Sequence, residues 1–168
     1  MLDWLARALR LSVFIFVAIG FSAHAEAWRN YQNARFGTKA QIPAGWTALP
    51  EPENGDGIIL ESPDKRASIT ISGGYNEPPT TTALEDRSEP EKGTTVTYKK
   101  RGPGWLVISG TKGELIFYQK YLLSCGNEIW NGLTIEYPAA DKASYDAIVK
   151  YASDALRGAR GKDADHCR

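Results

Sequence analysis

The chain has 168 residues, with 20 Lys+Arg against 20 Asp+Glu, two His, two Cys and 42% hydrophobic residues. That length fits one domain. A formal net charge of zero excludes the Lys/Arg excess with which nucleic-acid binders displace counterions, and 11% aromatics with an ordinary apolar content exclude a disordered chain.

In chain order, the first feature is a targeting segment. Arg7 and Arg10 precede an apolar run from Leu11 to Phe21, and Ser22-Ala23-His24-Ala25 follows with small residues in an A-x-A arrangement. This predicts a secretory signal peptide over 1–25, cleaved between Ala25 and Glu26. The run is too short to span a hydrocarbon core of about 30 Å at about 1.5 Å per residue, so no stable membrane insertion is expected after cleavage. Cleavage removes Arg7, Arg10, Asp3 and His24, which leaves one more acid than base and His166 as the sole histidine. Residues 26–168 are expected to form a single α+β domain in a Gram-negative periplasm, with a short polar tail over 158–168. Export gives Cys125 and Cys167 a meaning. In an oxidising compartment they most simply pair, two free thiols being the alternative.

Short alternating apolar runs predict strands before helices. Residues 28–36 form a lead-in segment anchored by Tyr31 and Phe36. Thr38 to Ile42 alternates and stops at Pro43. Asn54-Gly55-Asp56-Gly57 is the strongest turn signal, both glycines tolerating φ > 0. Ile58–Ser62 and Ser68–Ser72 read as a hairpin across Pro63-Asp64-Lys65-Arg66. Residues 73–82 read as a loop, and 83–91 hold a short helix limited by Pro90. Residues 94–100, 105–109, 115–123 and 129–137 are strands joined by short turns, hence an antiparallel meander. Pro138 breaks the last strand. Asp141 or Ser144 then caps a helix in which Tyr145, Ile148, Val149, Ala152 and Leu156 make one apolar stripe, with Gly158 ending it. The expected fold is α+β: an antiparallel sheet of about six strands with flanking helices.

The chemistry-bearing patterns are sparse. His166 sits in a polar tail, a poor place for the proton shuttle of a Ser-His-Asp triad. A zinc site wants three or four His/Cys ligands, more than remain once the cysteines pair. There is no P-loop, no G-x-G-x-x-G after a strand and no G-x-S-x-G elbow. No catalytic residue, metal ligand or cofactor is therefore assigned. Asn54 and Asp56 read first as turn residues bonding their own backbone, with a ligand role for Asp56 as the sharper alternative. The acidic stretch Glu85, Asp86, Glu89, Glu91 and the basic run Lys99, Lys100, Arg101 read as solvated surfaces before partner patches. Trp105 reads as core. Trp46, beside a Pro-rich loop, is a pocket candidate, as is Tyr75.

Several short motifs run together: Y-x-N-x-R-F-G (Tyr31 to Gly37), Pro43-Ala44-Gly45-Trp46, N-G-D-G (Asn54 to Gly57), S-P-D (Ser62 to Asp64), V-T-Y (Val96 to Tyr98), G-W-x-V-x-S-G (Gly104 to Gly110), I-F-Y (Ile116 to Tyr118) and Tyr137-Pro138. Over residues 28–157 the chain resembles small exported alphaproteobacterial proteins and, more loosely, the Mog1/PsbP-like fold. The resemblance implies an antiparallel sheet flanked by helices and a non-enzymatic protein, with no transferable site residues.

The resulting expectation is a monomeric, non-catalytic binding or accessory protein of the cell envelope, acting on an envelope protein or a small ligand. Two alternatives stand beside it. One is a hydrolase of envelope glycans, which needs two carboxylates about 5 to 10 Å apart in a concave pocket, drawn from Asp56, Glu61 or Glu114. The other is a purely structural envelope protein.

Overall fold

The computed structural model describes residues 27–87, 89, 91–160 and 167. The signal segment, its Ala25–Glu26 junction and His166 lie outside the described residues. Among the described residues nine strands form two antiparallel sheets, where the alternation pattern suggested about six strands. β1 (Trp28–Gln32) pairs with β2 (Lys39–Pro43) as a two-stranded ribbon, so the lead-in segment is itself a strand. The other sheet contains β3 (Thr47–Ala48), β4 (Gly57–Glu61), β5 (Ser68–Tyr75), β6 (Thr94–Gly102), β7 (Trp105–Lys112), β8 (Leu115–Ser124) and β9 (Ile129–Pro138). Their order is β3-β4-β5-β9-β8-β7-β6, so the expected meander β6 to β9 is present and its last strand joins the β4–β5 hairpin.

The pleat sends alternate residues to opposite faces. On one face, Ile58 and Leu60 of β4, Ile69 and Ile71 of β5, and Leu133 and Ile135 of β9 form the main core. Ala40 and Ile42 of the ribbon close it, together with Tyr145, Ala152 and Leu156 from the C-terminal segment. α2 (Lys142–Ala155) thus presents the expected stripe. It ends at Ala155, not at Gly158. Leu156 is already extended, and Arg157 exchanges backbone hydrogen bonds with Lys39 of β2, both 2.8 Å. Gly158 answers to a close approach instead: a Cβ there would lie 2.6 Å from Ser124 Cβ and 2.7 Å from Asn131 Nδ2.

Asn131 shows how the layers are joined. It is fully buried on β9, accepts from the Thr38 hydroxyl at 2.8 Å, and donates to Leu122 O at 3.2 Å and Ser124 Oγ at 3.0 Å. Its amide is therefore satisfied on both sides, as a buried polar group must be. Lys120 reaches under α2 to donate to Ser153 O at 2.7 Å, and burial pushes its ammonium below its ordinary pKa.

The Y-x-N-x-R-F-G and N-G-D-G motifs meet in one joint. Asn33 Oδ1 accepts from the amides of Arg35 (3.0 Å) and Phe36 (2.7 Å), and its Nδ2 donates to Gly55 O at 2.8 Å. Arg35 donates to Asn54 O at 2.6 Å and pairs with Asp56 at 3.0 Å. Gly55 takes φ +65°, as expected, but Gly57 does not take positive φ. It is a β4 residue whose Cβ would lie 2.0 Å from Ile71 O, so strand proximity demands the glycine.

The S-P-D turn is equally specific. Asp64 accepts from the Ser62 hydroxyl at 2.6 Å, from the Arg66 amide at 3.1 Å and from Arg66 Nε at 2.9 Å. These contacts, the Ser62 hydroxyl foremost, hold its carboxyl at about 2 instead of 3.8. Arg66 also pairs at 2.8 Å with Asp141, which occupies the N-cap position of α2 without a side-chain cap bond. Because the folded-state pKa lies below the unfolded one, this contribution is complete above about pH 4 and is lost as pH falls through 2. Thermal melts between pH 2 and 7 are expected to show Asp64→Asn flattening the acid limb of the profile. An unchanged acid limb would show that Asp64 is not the titrating group.

Candidate functional site

The opposite face of the sheet is only partly covered. Residues 76–87, 89 and 91–93 cross it as a strap, pinned at both ends. Asn76 Nδ2 donates to Thr80 O at 2.8 Å and Asn127 O at 2.7 Å, and Glu91 pairs with Lys112 at 2.8 Å. Midway, the single turn α1 (Ala83–Asp86) buries Leu84 against Leu106, Ile108 and Phe117. The Glu85–Arg101 ion pair at 2.6 Å ties α1 to β6, so the acidic stretch and the basic run, read as separate surfaces, are joined to each other.

Beside this plug the sheet carries a trough. Gly74 and Gly132 lack side chains on this face, and aromatic rings lie in the space. A Cβ on Gly74 would come within 2.6 Å of Trp130 Nε1, and one on Gly132 within 3.0 Å of a Tyr121 ring carbon. Tyr121 and Trp130 meet edge to face, with centroids 6.4 Å apart. Arg87, just past α1, sets its guanidinium carbon 3.7 Å from the Trp130 ring centroid and 5.6 Å from that of Tyr121. This is a cation–π platform made possible by two glycines.

Between strap and sheet lies a cavity of about 330 Å³. Phe117, Gln119, Tyr121 and Glu136 line it from the sheet, and Asp86, Arg87, Glu89 and Glu91 from the strap. Arg87 Nε is buried and has no hydrogen-bond acceptor among the described residues. Burial pushes the guanidinium below its ordinary pKa, with Tyr121 and Asp86 acting against that shift. Burial raises the Tyr121 phenol, which Arg87 and the Thr134 hydroxyl partly offset.

The residues singled out from sequence lie elsewhere. Trp46 is 5% exposed, in the main core, with its ring edge-on to Tyr145 beside a separate surface pocket. Asp56 belongs to the Arg35–Asn54 joint. Tyr75 is 40% exposed, packs edge-on against Phe36 and lines a smaller recess with Asn76 and Glu128. Trp105 is half-buried, lying over Gly102 at the β6–β7 turn. Glu61 ends β4, whereas Glu114 is exposed in the β7–β8 turn, and neither lines the cleft. Cys125, directly after β8, is bonded to Cys167 with Cα atoms 5.2 Å apart, as expected. Sequence reasoning missed Arg87, Trp130, Gly74 and Gly132. The available signal was the pair of strand glycines, which often mark a close approach.

A mostly antiparallel sheet with a C-terminal helix packed on one face defines the Mog1/PsbP-like fold, and solved structures agree. Cyanobacterial PsbP (CyanoP) from Synechocystis superposes with a TM-score of 0.60 at 8% identity, over 82% of this chain and 96% of that one. The Saccharomyces cerevisiae Ran-binding protein Mog1p superposes with a TM-score of 0.54 at 7% identity, over 83% and 99%. No family model matches the chain, and no curated protein matches it in sequence. At such identities the likeness concerns the fold alone.

Proposed function

We propose that the protein is a non-catalytic binding protein of the cell envelope, exported to the periplasm, which takes a small ligand in the cleft beneath the strap. The observation that carries this reading is Arg87, whose guanidinium is seated on Trp130 and which lines the cavity together with Tyr121. The cavity also reaches the lower end of the size range of small-molecule sites, about 300–1,000 Å³. The signal-peptide pattern and the paired cysteines support an oxidising compartment.

The test is the mass of protein purified from periplasm, measured natively and after non-reducing denaturation. The denatured mass is expected to equal residues 26–168 less two hydrogens, and the native spectrum to retain an additional small mass. A retained signal segment or two free thiols would overturn the compartment. A native mass identical to the denatured one would count against the cleft.

A further inference from the structure

We infer that the strap is a lid: residues 81–87 leave the sheet as a unit, turning about 76–80 at one end and 91–94 at the other, while the sheet stays folded. Opening bares Leu106, Ile108 and Phe117 and uncovers the Trp130 and Tyr121 rings. It is the route by which a ligand enters the cleft, and the strap can open whether or not the cleft holds one.

The backbone bonding of the strap points to this. The amide of Leu84 donates to Thr81 O at 3.2 Å, those of Glu85 and Asp86 to Thr82 O at 2.7 and 3.2 Å, and that of Arg87 to Ala83 O at 3.3 Å. All four donors bond within the strap. β5, by contrast, is laddered to β9 over its whole length, from Ser68 to Tyr75. Lifting β5 breaks that ladder, whereas lifting α1 leaves its own amides bonded.

Side chains hold the middle of the strap down. Leu84 is seated on Leu106, Ile108 and Phe117, and Arg87 lies over Trp130. The Glu85–Arg101 pair is exposed, and exposed ion pairs hold weakly. α1 is a single turn whose N-cap residue, Thr82, makes no side-chain cap bond, so it is not stable away from the sheet. The closed state also carries a cost. Arg87 Nε is buried with no acceptor among the described residues, and opening returns it to water. The ends are firmer. The Asn76 amide donates to Glu128 O at 2.8 Å, while its Nδ2 holds both Thr80 O and Asn127 O. At the other end the amide and hydroxyl of Thr94 donate to Glu91 O at 3.0 and 2.6 Å, and Glu91 pairs with Lys112. Firm ends around a middle seated by one apolar side chain and one cation give a segment that opens locally.

The test is native-state hydrogen exchange of the mature protein, followed residue by residue by NMR. The amides of Leu84, Glu85, Asp86 and Arg87 are expected to be protected about 100-fold or more less than those of Leu133 and Ile135, which lie on β9 between two partner strands. Low denaturant is expected to speed the β9 amides and leave the strap amides unchanged, because local opening exposes little surface. Leu84→Ala separates lid opening from fraying of α1. Alanine is the best helix former, so fraying alone would not speed up. Loss of the leucine seat is expected to speed all four strap amides about thirtyfold or more, with the β9 amides unmoved. Strap amides as protected as those of β9 in the wild type would place the strap in the sheet's cooperative unit and overturn the lid without any variant. Unchanged or slower exchange in Leu84→Ala would reduce the motion to fraying and overturn it as well. Retention of a small mass by periplasmic protein is a separate readout, so the lid and the cleft fail separately.

Discussion

Replacing Cys125 and Cys167 with serine is expected to lower stability by about 4 kcal/mol. The bond closes a loop across a sequence separation of 42, for which the chain-entropy relation gives about that figure. The Cα separation of 5.2 Å lies within the usual range, so the backbone at both ends already suits the bridge. The folded state should change little. Arg157 is held to Lys39 by two backbone hydrogen bonds, Ala159 is 3% exposed, and Gly158 is seated against Ser124 and Asn131. The loss therefore falls mainly on the unfolded state, which gains freedom. At about 2–4 °C per kcal/mol for a domain of this size, calorimetry should show a fall of roughly 8–16 °C, reproduced in the wild type by reductant. A fall below about 2 °C would mean that the unfolded chain gains little from losing the bridge, contrary to this account.

That prediction was accessible from sequence because a disulfide joins two residues of one rare type. The meander was accessible for a similar reason: Leu133, Ile135 and Tyr137 declare one face by alternation, and short glycine turns dictate antiparallel neighbours, whereas Val96 and Tyr98, which alternation places on one face, are put on opposite faces by a register shift between them that pairs Val96 with Gly110 and Tyr98 with Ser109. Alternation is silent where a strand is short or polar. β1 is largely exposed and β3 has two residues, so neither carried an apolar signal. Gly73 and Gly74 read as loop, yet they continue β5 opposite Asn131 and Trp130, where the missing side chains admit Phe36 on one face and the Trp130 ring on the other. The cleft was hidden for the same reason. Arg87 precedes Trp130 by more than forty positions, and only the strap's course brings them together. Trp46 and Asp56 drew attention by residue type, but the fold uses one as core and the other as a turn partner.

Trp130→Ala is expected to cost about 3 kcal/mol in stability and to abolish ligand retention in the cleft. Fully buried Trp→Ala changes cost about 3–5 kcal/mol, and Trp130 is half-buried, which places it at the lower end. The loss has three sources in the contacts: the ring's cover over Gly74, its edge on Tyr121 and its face under Arg87. Trp130→Phe preserves an aromatic face with less area, and should therefore separate packing from charge. Combined with Arg87→Met in a double-mutant cycle, the Trp130–Arg87 coupling is expected near 1–2 kcal/mol, the range for a partly desolvated cation–π pair. Gly74→Ala supplies an independent test because it deletes no contact. Its new Cβ would lie 2.6 Å from the indole nitrogen, with ring carbons 2.7 Å away, so the ring must lift from the sheet. If the platform orients Arg87, Gly74→Ala reduces the coupling along with ligand retention. A coupling of zero, or a Gly74→Ala protein that retains ligand as the wild type does, would show that Arg87 needs no aromatic support, and the cleft would then be defined by the strap alone.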